Sequence, residues 1–278
     1  MKTYYLEKMD KPKFSIRKYK IEQDNFKIYA DLNKEKNVSK IIRSLIKNDI
    51  EYVVLSEELS KNSNLINALN ASNINIFDGR WLEKYLTIEI LEYIINQKEI
   101  KKEETDIAIT ANEINDLTIE TIQILAKEYR RLTVVTNHIE KLRKIEKDLY
   151  DNNGILMVVS NNTKKSLTKA KMILNLDFNK QVLNKYKINE NAIIINVEGD
   201  MKIKSKRFSG ININDYEIEV GREDVIWREN FKSFKSKDLL EAELYIRDTF
   251  KNIRRKIMKN KVSIKAVYGE NGKIERFY

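Results

Sequence analysis

With 278 residues, a formal net charge of +10, 34% charged and 42% apolar residues, the chain is long enough for two modest cores and too regular in its apolar blocks to be disordered. The absence of cysteine excludes disulfides, zinc–thiolate sites and thiol catalysis, and a single histidine would leave any transition-metal site almost entirely carboxylate. No apolar run approaches the roughly 20 residues of a membrane span, and the N-terminal MKTYYLEKMDKPKF lacks the apolar core of a signal peptide, so a cytoplasmic protein without a membrane partner is expected.

Residues Tyr4 to Ile21 alternate weakly and supply one or two edge strands, with Pro12, the lone proline, withholding a ladder donor. From Phe26 an α/β rhythm begins. FKIYADL reads as a strand, Val38–Lys47 as an amphipathic helix, Ile50–Leu55 as a buried strand, Asn64–Asn70 as a short helix and Ile74–Phe77 as a strand. Asp78-Gly79 is a turn signal, and the apolar stripe from Trp81 to Ile94 marks a helix or a helix pair. Asp78 and Arg80 sit at a strand's C-terminal end, where α/β sheets hold substrates; the plainer reading is that Arg80 pairs locally and Trp81 is core. The charged run Lys101–Glu104 reads as a solvated boundary.

From Asp106 to Val197 apolar runs alternate with amphipathic ones: DIAIT, a helix capped by Asp116 or Thr118, LTVVT, a helix, GILMVVS, a short helix, KMILNLDF, a short helix and NAIIINV. Strand, helix and strand fit within about thirty residues, the length of a right-handed crossover. This is the rhythm of a doubly wound, mostly parallel sheet of the Rossmann kind.

The order of elements resembles the two-domain dehydrogenases of the shikimate, methylene-tetrahydrofolate and amino-acid dehydrogenase type, over the whole chain as an order and over residues 106–198 as a pattern. The resemblance implies a smaller α/β substrate domain at 1–104, a Rossmann-like domain at 105–222, and a segment at 223–278 whose helix and hairpin return to the first domain. It also implies NAD(P). Yet where that family has G-x-G-x-x-G, this chain has Ala111-Asn112-Glu113-Ile114-Asn115-Asp116. Glu113 and Asp116 put negative charge where a diphosphate would lie, which disfavours the cofactor. Asn137 after LTVVT matches the turn that reads a 2′-phosphate in NADP-using relatives, with His138 replacing their arginine. The family's substrate-side serines and its catalytic lysine stretch have no counterpart, so no acid–base pair is assigned.

Strand ends collect Asn112, Asn137, His138, Ser160, Asn161, Asp177 and Glu198 on one rim. That rim reads either as a site for a small polar ligand or as a hydrated sheet edge. Asn175 and Asp177 are expected on one face of the MILNLDF strand by period-two alternation.

Farther on, Ile203–Phe208, Ile211–Ile213 and Tyr216–Val220 read as short strands, and a long amphipathic helix is expected from Ser236 through Asn260, capped by Ser236 or Asp238. Its last turns carry Lys251, Arg254, Arg255, Lys256 and Lys259, a nucleic-acid face if there is one. The chain ends in a hairpin turned at Asn271-Gly272. The positive charge is scattered lysine accompanied by heavy isoleucine and asparagine usage, which favours a compositional origin over a dedicated nucleic-acid surface. The favoured functional reading is a degenerate relative of NAD(P)-dependent dehydrogenases that binds or regulates, with a small-molecule or protein partner. An active oxidoreductase with an atypical cofactor loop and a nucleic-acid binder are the alternatives.

Overall fold

The computed structural model describes residues 3–8, 16–20, 26–30, 35–129, 131–197, 201–203, 208–221, 231–245, 248–275 and 277. Pro12, Glu198 and most of the expected 203–208 strand lie outside the described residues. The chain forms two compact units, Met1–Leu82 with Arg222–Ile246, and Glu83–Gly221 with Arg247–Tyr278.

In the first unit, five strands, β1 (Thr3–Lys8), β2 (Ile16–Lys20), β3 (Phe26–Ala30), β4 (Tyr52–Leu55) and β5 (Asn75–Phe77), lie in the order β2-β3-β1-β4-β5. All neighbours are parallel except β2 and β3. β2 is an edge strand as expected, but β1 is central, paired with β3 on one side and β4 on the other. Its TYYL run explains this: Tyr4, Tyr5 and Leu6 are all buried, which a half-exposed edge strand would not allow. Alternation then divides the apolar residues between two faces. Tyr4, Leu6, Val53 and Leu55 pack under the helices α1 (Glu35–Lys47) and α2 (Ser63–Ala71). Tyr5, Val54 and Phe77 pack with Phe231, Phe234 and Leu239 on the opposite face.

The second unit holds an eight-stranded sheet: β6 (Asp106–Thr110), β7 (Arg131–Val135), β8 (Met157–Ser160), β9 (Met172–Asn175), β10 (Ile193–Asn196), β11 (Ile211–Val220), β12 (Val262–Gly269) and β13 (Gly272–Lys273). The order is β13-β12-β11-β10-β9-β6-β7-β8, and every neighbouring pair from β8 through β11 is parallel. Counted along the chain, the parallel strands run 3-2-1-4-5-6, the Rossmann order, with the reversal of winding between β6 and β9. The two short strands expected at 211–220 are one ten-residue strand with irregular pairing to β12.

Helices α3 (Arg80–Lys98), α4 (Asp116–Glu128), α5 (Ile139–Asn153) and the short α6 (Lys180–Leu183) punctuate the chain. The 80–98 stretch is a single helix, not a pair. The cap of α4 is Asn115, not Asp116 or Thr118; its side chain accepts from the Thr118 amide, while Thr118 itself is buried. Lys102, in the run expected to be a solvated linker, bonds Glu92 at 2.5 Å and Glu128 at 2.7 Å.

The expected long C-terminal helix is interrupted. It is two helices, α7 (Ser236–Leu244) and α8 (Phe250–Lys259), and Lys235 occupies the cap position of α7 without a side-chain cap bond. A new start signal lies inside the apolar periodicity. Thr249 caps the Asn252 amide, Asp248 accepts from the Thr249 amide and the Asn252 side chain, and Asp116 accepts from the Phe250 amide at 3.0 Å. The terminal hairpin turns at Glu270-Asn271, with Gly272 at φ +100° opposite Gly269, one residue from the expected turn.

Candidate functional site

In an open α/β sheet, ligands sit beyond the strand C-termini where the winding reverses. Here that place is the crevice between the ends of β6 and β9. The residues at those ends are polar and face one another, and Asn175 organises them. Its side-chain oxygen accepts from the Thr110 hydroxyl at 2.6 Å and from the Phe178 amide at 3.1 Å; its nitrogen donates to the Phe178 carbonyl at 2.9 Å and to Asn196 Oδ1 at 3.2 Å. Four bonds satisfy the whole amide, as a fully buried asparagine requires.

By holding both backbone groups of Phe178, Asn175 closes residues 176–178 into a turn. The strand therefore ends at Asn175 rather than running to Phe178 as expected. The turn carries Asp177 across to the loop after β6. The Asn112 amide donates to both carboxylate oxygens of Asp177 at 2.7 and 2.8 Å, and the Glu113 amide donates at 2.6 Å. These are the amides that, in a dinucleotide-binding loop, would face a diphosphate. An internal carboxylate stands there as the anion instead. The Asn112 side chain then accepts from the Asn137 amide at 3.0 Å, tying the β7 end into the same network.

The polar ladder continues across the rim. Asn196 Nδ2 reaches Asn212 Oδ1 at 2.5 Å and Asn214 Oδ1 at 3.0 Å, and Asn212 and Asn214 both donate to the Met201 carbonyl. Asn196 is fully buried and Asn212 nearly so. Sequence reasoning missed Asn212 and Asn214 as members, although a signal was present. β6, β9 and β10 each end a buried apolar run with one small polar residue (DIAIT, MILN, IIIN), and ININ in β11 puts two asparagines at period two.

Of the residues expected on this rim, Asn112, Asn137 and Asp177 are brought together. His138 is exposed at the start of α5, its amide donating to the Thr136 hydroxyl and its side chain making no cap bond. Ser160 ends β8 and bonds Ser166 at 2.8 Å, and Asn161 is exposed beside it. Ala111 has no accessible surface, so where the first glycine of a dinucleotide loop makes its tight turn, a methyl is packed into the core. Glu113 is exposed in the same loop, and Asp116 points its carboxylate at the Phe250 amide. The residues present thus do not fit NAD(P) in the usual pose. Nor does any grouping of three or more His, Asp or Glu side chains among the described residues suit a metal ion.

Asp78 and Arg80, expected to face a substrate, pair with each other: Arg80 Nε lies 3.3 Å from Asp78 Oδ2, and the Arg80 amide donates to Asp78 Oδ1. The more unusual group nearby is Glu241. Its buried carboxylate accepts from the Gly79 amide and, at 2.8 Å, from the Trp81 amide, so α7 supplies the cap for the start of α3. Burial pushes the Glu241 carboxyl up to about 7 against those bonds, and it likewise pushes Asp238, one turn earlier, up to about 7.

Most of the basic residues at 251–259 are already paired. Lys251 meets Glu120 at 2.9 Å, Arg254 meets Glu89 at 2.5 Å, and Lys256 meets Asp248 at 3.3 Å. Arg255 and Lys259 remain exposed.

No family model matches the sequence, and no curated protein matches it. Among solved structures, L-tryptophan dehydrogenase from Nostoc punctiforme aligns at 8% identity over 85% of this chain and 76% of that one, with a TM-score of 0.34. Aspartate transcarbamoylase from Trypanosoma cruzi, solved with aspartate and phosphate, aligns at 8% identity over 74% and 73%, with a TM-score of 0.29. Ornithine transcarbamoylase from Giardia lamblia aligns at 10% identity over 70% and 72%, with a TM-score of 0.30. An amino-acid dehydrogenase and carbamoyltransferases thus stand among the neighbours, at scores that carry no inference for this chain. The assignment of a Rossmann-like α/β fold rests on the strand order. No described helix is long and apolar enough to cross a membrane.

Proposed function

We propose that this chain is a Rossmann-like protein that has lost dinucleotide chemistry and serves as a non-catalytic binding or regulatory protein. The observation that carries the reading is the Asp177 carboxylate on the Asn112 and Glu113 amides. A site that receives a diphosphate keeps those donors for the ligand; a site that fills them with its own carboxylate repels a second anion at close range. The buried asparagine ladder supports the same reading, because its amides are spent on one another and make a rigid, finished rim.

Calorimetric titration with NAD⁺, NADP⁺, coenzyme A and free nucleotides tests it. No heat of binding is expected from the two dinucleotides at millimolar concentration. Saturable binding of either one, with hydride transfer to any acceptor, would replace this reading with that of an oxidoreductase.

A further inference from the structure

The sheet of the second unit is unevenly covered. The β6–β7 and β7–β8 crossovers contain α4 and α5, but residues 161–171, joining β8 to β9, form turns and one bridge from Leu167 to Ile188, without a helix. Parallel strands are usually joined through a helix that covers the sheet face. Here β8 is also the edge strand.

The consequence is a groove of about 530 Å³ between β6–β8 and the 162–170 connection. Leu156 and Val158 line it, with Thr133 opposite Val158 on β7. Leu156 is 61% and Val158 48% exposed, whereas Ala108 and Val135, nearer the middle of the sheet, are wholly covered. Two aliphatic side chains so exposed, one on the edge strand and one just before it, mark a surface made to be covered.

The rim says by what. Arg131, Lys165 and Lys169 line it and are exposed, and Lys164 and Lys171 flank it. Among the described residues Asp106 is the one carboxylate lining the groove, 3.9 Å from Arg131. A second copy of a chain carrying +10 would meet this rim with like charge. A nucleic acid would find its phosphates welcome, but among the described residues no aromatic ring lines the groove for its bases. An apolar stripe flanked by carboxylates matches both floor and rim.

We propose that this groove is the docking site for an acidic amphipathic helix of a partner protein, which takes the place of the covering helix that the β8–β9 connection lacks. Fluorescence anisotropy on the full chain tests it with labelled helical peptides of roughly 20 residues, leucine on one face and glutamate on the flanks. The counter-probes are the same peptide with lysine for glutamate, and a single-stranded DNA oligonucleotide. The acidic peptide is expected to bind, more weakly at high salt, and to protect residues 156–169 from hydrogen exchange. Val158→Asp and the double variant Lys165→Glu/Lys169→Glu are each expected to weaken it about tenfold or more, while Lys40→Glu in the first unit leaves it unchanged. All of these positions are exposed, so unchanged circular dichroism will establish that the variants fold. Absence of saturable binding by the acidic peptide, equal binding of the lysine peptide, or indifference to both groove variants would overturn the proposal. So would an oligonucleotide that binds through these residues when the acidic peptide does not.

Discussion

Replacing Asp177 by alanine removes a carboxylate that accepts three contacts from two amides, at 2.6 to 2.8 Å. A hydrogen bond to a charged group contributes about 1.5–3 kcal/mol. Asp177 is half-buried and Glu113 exposed, so water can replace part of the loss; the cost of Asp177→Ala is therefore set near the lower end, at about 2–3 kcal/mol. For a unit of this size that is roughly 5–10 °C in melting temperature. Asp177→Asn keeps one acceptor and should lose about half as much. The informative assay is amide exchange of Asn112 and Glu113 alongside the thermal melt, because the reasoning requires both protections to fall together. A second arm follows from the site's chemistry. With Asp177 gone, the two amides are open donors, so millimolar phosphate should raise the melting temperature of Asp177→Ala and leave that of the unaltered chain in place. An alanine variant within about 0.5 kcal/mol of the parent, or exchange unchanged at both amides, would refute the claim that Asp177 fills the loop.

Asn196→Asp should destabilise the second unit by about 2–4 kcal/mol, since it turns a buried carboxylate toward the oxygens of Asn212 and Asn214; urea denaturation checks the value, and a neutral result would mean the ladder is not a working network. Arg254→Met leaves the half-buried Glu89 without its partner, at a cost of about 2 kcal/mol, whereas Arg255→Ala at an exposed position should stay within about 0.5 kcal/mol. Equal effects of the two in thermal melts would count against the pairing. Burial raises Asp238 and Glu241 to about 7 from ordinary values of 3.8 and 4.5, so the folded first unit holds protons more tightly than the unfolded chain. Its stability should therefore be greatest near pH 4 and decline as pH rises toward about 7. Asp238→Asn should flatten part of that slope and gain about 1–3 kcal/mol above pH 7; a slope of opposite sign between those pH values would refute the assignment.

The strand rhythm from Asp106 to Val197 was legible because each parallel strand is a short buried apolar run, and the α/β class follows from that alternation. The central place of β1 was not, since pairing is decided between segments far apart in sequence. Asp177 shows the limit most clearly. Its proximity to Asn112 depends on Asn175 gripping Phe178 at the strand end, and periodicity alone continues the strand through that turn. The break between α7 and α8 hid for a related reason: the apolar stripe runs through it, while the interruption is written in Asp248 and Thr249, two capping residues inside the stripe. Asp116, read as charge hostile to a diphosphate, has its own use at the α8 terminus.

The central claim is that the crevice between β6 and β9 is closed to a diphosphate by the chain's own carboxylate. Isothermal titration of the unaltered protein with NADP⁺ tests it most directly. The expected result is no saturable heat at millimolar ligand. Binding at micromolar concentration, with the Asn112 and Glu113 amides shifted in a nitrogen–proton spectrum, would contradict it.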